Sequence, residues 1–271
     1  MTYRVYAELE ISDRKTQSPS TLDSALELPR VVLEMTSLTY VWPLLAGGPR
    51  GDGHCVLFLP GFAAGDQSTL ILRRYLSRLN YKTLPWKLGQ NTGSYDLQDR
   101  LHERFEQVLE DHPGKISLVG QSLGGIFARV LASQWPDRIR QVITLGAPFA
   151  SASPESTNEL VGRLYRYVSG MSRDEMRDQM QGIPSGPLEV PSTAIYTKTD
   201  GVVHWSTCLE AESEQTENIE VLGSHSGMGF NPLVLYVLAD RLAQAEGQWR
   251  PFERNLGCRG LMFPKPATQA R

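Results

Sequence analysis

The sequence predicts an α/β fold in which a mostly parallel central sheet is flanked by helices, with a helical lid insertion. Two observations lead to this prediction. After residue 53, short apolar runs alternate with stretches of helical period, and a Gly-x-Ser-x-Gly pattern joins one run to the next helix. Six runs have the length of strands: Cys55–Leu59, Tyr81–Trp86, Ile116–Val119, Gln141–Leu145, Thr193–Thr197 and Ile219–Leu222.

Helical spacing fills the gaps between these runs. Apolar residues recur at steps of three and four over Leu70–Leu79, Leu97–Val108 and Asn158–Gln181. The last stretch is too long for a simple connection between two strands, which predicts an inserted lid at 151–190. Its methionines Met171, Met176 and Met180 suit either a lid over an acyl chain or ordinary packing on the core.

Length and composition set the domain organisation and exclude some functions. The chain has 271 residues and a net charge of −3, so a basic surface for nucleic acid is not expected. Three dispersed cysteines, Cys55, Cys208 and Cys258, fit neither a disulfide framework nor a zinc site, and Cys55 is expected to be a buried thiol. We predict an N-terminal extension over 1–52, one α/β domain over 53–248, and a C-terminal tail over 249–271 that is extended or disordered from Arg254 onward and carries no chemistry.

An apolar stretch in the extension predicts a helix. Val31–Leu45 carries one charge, Glu34, with Pro29 placed in the first turn and Pro43 ending the helix. It is too short to span a bilayer, which takes about 20 apolar residues. Packing on the core or on a partner subunit is one interpretation, and peripheral membrane contact through residues 31–45 is the other. The first twelve residues lack the pattern of a secretory signal, so a cytoplasmic location is expected.

The Gly-x-Ser-x-Gly pattern spans Gly120–Gly124, directly after the predicted strand Ile116–Val119. A sharp turn from a strand into a helix exposes the central serine at the helix N-terminus, and small neighbours let the chain segments pass. Ser122 is therefore the candidate nucleophile. The backbone N–H of Leu123 is the candidate first donor to an oxyanion.

A serine hydroxyl needs a base, and the base needs an orienting acid. In this fold both follow the serine, in the order acid then base. Of the five histidines, only His204 and His225 follow Ser122. We favour His225 because its glycine-flanked loop follows the last predicted strand, where open α/β sheets build their sites. His204 is assigned a supporting or surface role.

The acid and the second oxyanion donor come from two other loops. Asp200 ends the run that begins at Ala194 and precedes Gly201, so it lies at the carboxyl end of a strand and is the candidate acid. The loop after the first strand contains Pro60 and Gly61, which makes the N–H of Phe62 the candidate second donor.

These motifs together resemble the α/β-hydrolase family, and among its branches the compact bacterial lipases and carboxylesterases. The resemblance covers roughly residues 53–248 and includes Leu-Gly-Ala-Pro-Phe at 145–149. It implies a triad of Ser122, Asp200 and His225 with an oxyanion hole at Phe62 and Leu123. Two features depart from many family members: Pro60 stands where many lipases have histidine, and Gln121 replaces the histidine common before the serine.

The expected reaction is hydrolysis of a small-molecule carboxylic ester through an acyl-enzyme, without a metal or organic cofactor. Thioesterase, amidase and acyltransferase activities on the same triad remain alternatives. A serine nucleophile argues against dehalogenase and epoxide-hydrolase chemistry, which use a carboxylate. A second class of alternative is a binding or membrane-docking module without catalysis. The sequence does not indicate the oligomeric state.

Overall fold

The fold is built on a six-stranded parallel sheet. A computed structural model describes residues 18–150, 157–170, 172, 175 and 182–267. The strand order is β2-β1-β3-β4-β5-β6, and all five neighbouring pairs are parallel. The strands are β1 (Cys55–Leu59), β2 (Lys82–Leu84), β3 (Ile116–Gln121), β4 (Ile139–Leu145), β5 (Ser192–Tyr196) and β6 (Thr216–Glu220). The predicted α/β fold with a parallel central sheet is therefore confirmed.

Helices cover both faces of the sheet. They are α1 (Thr21–Leu45), α2 (Leu70–Arg78), α3 (Tyr95–Asp111), α4 (Leu123–Gln134), α5 (Glu159–Ser169), α6 (Pro232–Leu242) and the short α7 (Arg259–Met262). Strand β1 separates two core layers because its side chains alternate. Val56 and Phe58 pack in the layer beneath α1, α2 and α6, whereas Leu57 and Leu59 pack in the layer beneath α3 and α4.

Helix α1 is longer than the sequence predicts, and its prolines lie inside it. It begins at Thr21, where the Ser20 side chain accepts a hydrogen bond from the N–H of Asp23, a typical N-cap. Pro29 and Pro43 are both on the exposed face. A carbonyl that loses its partner to proline can reach water there, which lets the helix continue. Within the described ranges, no helix is long and apolar enough to cross a membrane.

The predicted lid region lies between β4 and β5, and part of it is described. Helix α5 begins after Asn158, whose side chain caps the N–H of Leu160, and it ends at Gly170 in the left-handed conformation (φ 72°). The expected helix over Asn158–Gln181 therefore has its described part in α5. Met171, Met176 and Met180 lie outside the described residues.

The C-terminal tail differs from the extended segment that was expected. Phe263 is buried and packs against Phe252 and Tyr236, and the Arg259 guanidinium pairs with Asp240 of α6. An apolar anchor beside an ion pair supplies enough contact to hold α7 against α6. Pro264 and Pro266 favour an extended tail, but the aromatic cluster just before them holds it in place.

The three cysteines are free thiols. Cys208 is buried and Cys258 is exposed. Cys55 is half-buried rather than buried, because it opens β1 at the edge of its core layer.

One fully buried ion pair joins α4 to the segment between β5 and β6, and its arginine also bonds the return of the inserted segment. Arg129 contacts Glu210 through Nη1, donates through Nε to the carbonyl of Pro184 at 2.8 Å, and lies 3.9 Å from the centre of the Phe149 ring. Ser192 also donates to the Glu210 carboxylate. Burial favours the neutral form of the acid and raises the pKa of Glu210 despite the charge of Arg129.

We expect Arg129→Met to lower the free energy of unfolding by about 3–5 kcal/mol, because it leaves the Glu210 carboxylate buried without its partner. Urea denaturation followed by circular dichroism measures this loss. Arg163→Met is the matched control. Arg163 pairs with Glu159 on the exposed face of α5, and its loss should change stability by less than about 1 kcal/mol. The double variant Arg129→Met/Glu210→Leu should recover much of the loss, and equal losses for Arg129→Met and Arg163→Met would contradict the prediction.

Candidate active site

Ser122 occupies a strained turn between β3 and α4. Its backbone lies at φ 51° and ψ −123°, a region that non-glycine residues rarely adopt. The N–H of Ser122 donates to the carbonyl of Leu145 at 2.8 Å, which holds the turn against the end of β4. A Cβ on Gly120 would overlap the backbone of Gly124, and one on Gly124 would overlap the backbone of Leu59. The flanking glycines are therefore required by the close passage of three chain segments.

Asp200 and His225 form a buried hydrogen-bonded pair. His225 Nδ1 lies 2.7 Å from Asp200 Oδ2, and both residues are buried. The other carboxylate oxygen, Oδ1, accepts from the N–H groups of Val202 at 2.9 Å and Val203 at 2.8 Å. These bonds fix the plane of the carboxylate, so Asp200 can hold the imidazole with Nδ1 protonated and leave Nε2 as the proton acceptor.

The electrostatics of the pair favour a proton on His225. Burial alone disfavours the imidazolium, but the charge and the hydrogen bond of Asp200 outweigh it, and the charge of Glu27 adds to them, so the pKa of His225 is raised. A raised pKa makes His225 a better proton acceptor from a serine hydroxyl.

Two contacts bring the histidine loop to the serine turn. The side chain of Gln121, directly before Ser122, donates through Nε2 to the carbonyl of His225 at 3.1 Å. A Cβ on Gly146, the residue after β4, would lie 3.1 Å from His225 Nδ1. Because the N–H of Ser122 bonds the carbonyl of Leu145, the serine and the histidine both lie at the carboxyl end of β4. Gln121 therefore braces the histidine loop.

The loop after β1 lies against the serine. A Cβ on Gly61 would lie 3.3 Å from Ser122 Cβ. Leu123 is the first residue of α4, where the N–H groups of a helix have no partner within the helix. In the described part of the chain, the N–H groups of Phe62 and Leu123 donate to no protein acceptor. The predicted donors are thus available beside the serine.

Asn91 fixes the conformation of that loop. Its side chain is fully buried and donates through Nδ2 to the carbonyl of Pro60 at 2.8 Å. The backbones of Asn91 and residues 63 and 64 exchange two further bonds of 2.8 Å each. Ala63 adopts a positive φ of 58°, which these bonds stabilise. In the sequence, Asn91 is a polar residue in a glycine-rich turn. Its hydrogen bonds show that its role is to hold the loop after β1 in shape.

Helix α5 covers the far side of the same loop. The ring centres of Tyr165 and Phe62 are 4.9 Å apart, and Tyr165 Oη donates to the carbonyl of Gly93 at 3.3 Å. At the other end of α5, the N–H of Asn158 donates to the carbonyl of Val202 at 2.7 Å, beside the Asp200 turn. The helix therefore extends from the acid turn to the candidate oxyanion loop.

His204 lies apart from the Asp200–His225 pair. Its Nδ1 contacts Ser206 Oγ at 2.7 Å and its ring packs on Trp205, with ring centres 5.6 Å apart. Burial lowers the pKa of His204, although the charge of Asp200 acts in the opposite direction. The His204 side chain thus makes these contacts within the turn that follows Asp200.

Sequence reasoning missed the contribution of α1 to this site. Glu27 and Glu34 are buried and accept hydrogen bonds from the loops that carry Asp200 and His225. A usable signal was present: the four charges of α1, at Asp23, Glu27, Arg30 and Glu34, are spaced by four, three and four residues. That spacing places all of them on one helical face.

Across the described residues, no three His, Cys, Asp or Glu side chains converge on a site that could hold a metal ion.

The comparisons with known proteins agree with this architecture. The family model described as "PGAP1-like alpha/beta domain" matches residues 89–225. The structure is similar to Aspergillus fumigatus lipase B, with a TM-score of 0.55 and 14% identity over 77% of this chain and 56% of that one. It is also similar to mouse α/β-hydrolase domain-containing protein 10 (TM-score 0.48, 15% identity, 69% and 86% covered). No curated protein sequence matches the chain.

The chain thus spans 56% of the length of the fungal lipase. A third similar structure is an extracellular α/β-hydrolase from a Paenibacillus species, with a TM-score of 0.46, 14% identity and coverage of 69% of this chain and 96% of that one. The likeness to the lipase confirms the α/β-hydrolase fold that the sequence motifs predict.

We expect Gly124→Ala to destabilise the protein by at least about 4 kcal/mol, because the new Cβ would overlap the backbone at the end of β1. Thermal unfolding followed by circular dichroism measures the change. Gly114→Ala is the matched control, since a Cβ there meets no atom within 4 Å, and it should stay within about 0.5 kcal/mol of the native protein. Similar stability for both variants would contradict the tight crossing at the serine turn.

Proposed function

The chain belongs to the PGAP1-like alpha/beta domain family, and from this premise we propose that it is a serine hydrolase that cleaves carboxylic esters. The observation that carries the proposal is the buried bond between His225 Nδ1 and Asp200 Oδ2, in a loop that Gln121 ties to the turn of the positive-φ Ser122. This arrangement of acid, base and strained serine is the one that ester hydrolysis on this fold requires.

The proposed reaction begins with attack of Ser122 Oγ on the ester carbonyl carbon. His225 Nε2 takes the hydroxyl proton, while Asp200 keeps the imidazolium oriented through Nδ1–H. The N–H groups of Phe62 and Leu123 donate to the developing oxyanion. The tetrahedral intermediate collapses, the alcohol leaves with the proton from His225, and a water molecule then hydrolyses the acyl-enzyme by the same steps.

Apolar surroundings support an uncharged acyl group as the substrate. Leu123 and Ile126 follow the nucleophile and pack with Ile183, which lies on the return of the inserted segment. Phe62 and Tyr165 close the opposite side. Apolar contact of this kind recognises an acyl chain by burial rather than by charge. A lid function for the inserted segment is part of the proposal.

The proposal extends to a lipid surface as a partner, contacted by the outer face of α1. Every exposed residue of α1 is uncharged along its 25 residues, because its four charged residues all face the protein. The large apolar side chains on this face are Leu22, Leu26, Leu28, Val32, Leu33, Met35, Tyr40 and Leu44. Contiguous apolar surface of this extent is uncommon on monomeric proteins and marks an interaction site.

The composition of this face favours a lipid surface over a second copy of the chain. A helix of 25 residues is about 37 Å long, and no exposed residue of α1 along that length is charged. A protein interface usually surrounds its apolar core with a polar rim and about ten hydrogen bonds. An interfacial helix needs only one apolar face that enters the boundary between headgroups and acyl chains.

We expect Ser122→Ala to lower kcat/KM toward p-nitrophenyl esters by about 10⁴-fold or more and to abolish labelling by a fluorophosphonate, because the nucleophile is lost. His225→Ala should lose a similar factor. His204→Ala should change turnover far less, since its ring does not contact Asp200. Turnover over a series of acyl lengths measures all three.

Ser133→Ala is the matched control, because Ser133 is exposed on the same helix, α4, and bonds only a carbonyl one turn away. Circular dichroism should be unchanged in every variant. Wild-type protein that neither hydrolyses esters of any length nor labels with the fluorophosphonate would overturn the enzymatic proposal. Turnover of thioesters or amides in preference to esters would instead select one of the alternative activities.

For the lipid surface, we expect the native protein to sediment with phosphatidylcholine vesicles and Leu33→Glu/Leu44→Glu to remain in the supernatant, because two charges enter the apolar face. Leu261→Glu is the control, since Leu261 is 92% exposed on α7, away from this face. The proposal is overturned if the native protein does not sediment with vesicles but forms dimers that the double variant disrupts. A second copy of the chain would then cover α1.

A further inference from the structure

The charged face of α1 contacts the loops on both sides of the candidate acid and base. Asp23, Glu27, Arg30 and Glu34 recur at helical spacing and all face the protein. Three of them, together with Ser24, bond residues next to Asp200 or next to His225. A helix outside the predicted catalytic domain therefore contacts the surroundings of two triad members.

Glu27 bridges the two loops with one carboxylate. Its Oε2 accepts from the N–H of Gly201 at 3.2 Å, directly after Asp200. Its Oε1 accepts from the N–H of Ser226 at 2.7 Å, directly after His225. The side chain is 7% exposed, so water competes little for these bonds.

Further bonds from α1 hold the Asp200 turn. Ser24 Oγ donates to the carbonyl of Gly201 at 2.8 Å, and Arg30 Nη1 donates to the carbonyl of Thr199 at 2.7 Å. A Cβ on Gly201 would lie 2.6 Å from the carbonyl oxygen of Asp23. The residues before and after Asp200 are therefore both bonded to α1, and the turn packs directly on the helix backbone.

Glu34 holds the start of the histidine loop. Its carboxylate accepts from the N–H of Ser224 at 2.9 Å, from the Ser224 hydroxyl, and from Asn231 Nδ2 at 2.7 Å. A Cβ on Gly223 or on Gly227 would overlap the Glu34 carboxylate. The two glycines thus form a recess that the carboxylate fills.

General stability is a poor explanation for these carboxylates. Burying a carboxylate costs several kcal/mol, which hydrogen bonds only partly offset, and apolar replacements of buried charges are often neutral or stabilising. Burial accordingly raises the pKa of Glu34, although its bonds to Ser224 and Asn231 act in the opposite direction. What these carboxylates provide instead is a fixed geometry of the two loops.

We propose that Glu27 is a positioning residue for the triad: its carboxylate ties the Asp200 turn to the His225 loop and keeps the Asp200–His225 hydrogen bond aligned. The inference rests on the proposed serine hydrolase. Glu27 acts through the backbone N–H groups of Gly201 and Ser226 and touches no reacting atom. Glu34 acts alongside it by holding the residue before His225.

The charge of Glu27 has a separate consequence. Together with the nearer Asp200, it stabilises the imidazolium and contributes to the raised pKa of His225. The base must be neutral to accept a proton, so activity falls as the pH drops through this pKa, and the acid limb of native kcat/KM should lie above the ordinary histidine value of about 6.5. Removing the Glu27 charge lowers the pKa of His225 and moves the acid limb to lower pH.

We expect Glu27→Gln to lower kcat by about 10- to 100-fold with little change in KM, because a displacement of about 1 Å in a catalytic group can cost 10²-fold. The amide can accept from only one of the two N–H groups, and its own NH₂ opposes the other. The acid limb of kcat/KM should move to lower pH. The downfield proton resonance of the His225–Asp200 bond should broaden or disappear.

Glu106→Gln is the matched control, since Glu106 is exposed on α3, and it should keep kcat, the acid limb and the resonance. Glu27→Asp is a second variant that keeps the charge but shortens the side chain by one methylene, so that one carboxylate no longer reaches the N–H groups of both Gly201 and Ser226. It should lower kcat about 3- to 10-fold and leave the acid limb in place, and it tests the inference if Glu27→Gln does not fold.

The outcomes separate this inference from the proposed function. Inactive, unlabelled wild-type protein overturns the hydrolase, while the proton resonance still tests whether Glu27 aligns the pair. Active wild-type protein, with native kcat and acid limb in folded Glu27→Gln, or native kcat in Glu27→Asp, overturns the positioning role. A merely structural role would reduce the folded fraction without moving the acid limb.

Discussion

The carboxylates of Glu27 and Glu34 lie buried between α1 and the loops that carry Asp200 and His225, and the arrangement of both loops depends on them. A buried carboxylate must be surrounded by donors, and here most of the donors are backbone N–H groups of the two loops. The requirement works in both directions: α1 can dock only if the loops present these N–H groups, and the loops satisfy them only when α1 is docked. The N-terminal helix and the site therefore form one folding unit.

The same principle applies around the rest of the site. The parallel sheet brings the ends of β1, β3, β5 and β6 to one edge, but the segments that follow them are loops, which a sheet alone does not hold to the accuracy that catalysis needs. Each loop is fixed by a side chain from elsewhere. Asn91 bonds the carbonyl of Pro60, and Gln121 bonds the carbonyl of His225. Ser24 and Arg30 bond the carbonyls on either side of Asp200.

The sequence predicted the features that follow from local pattern and chain order. The six strands are recognisable because parallel strands are apolar on both faces, and Ser122 is identifiable because its turn tolerates only small neighbours. The orientation of α1 was not predicted, since a run as apolar as Val31–Leu45 is usually buried by its apolar side. The partners of Glu27 lie 174 and 199 residues away, and separations of that length leave no local pattern.

Helix α1 reverses the usual amphipathic arrangement, in which charged residues face solvent and apolar residues face the core. Its charges are satisfied inside by donors near the site, while its outer face keeps an uncharged surface. The proposed activity on lipid esters would use both faces of this arrangement: charges on the outer face would oppose contact with acyl chains, whereas the same charges turned inward bond the loops of Asp200 and His225. The two faces are joined by one helix held at both ends, by Ser24 on Gly201 and by Leu45 in the core. The proposed contact with a lipid surface through α1 would thus hold the candidate site at a defined distance from that surface without any rearrangement of Asp200 and His225.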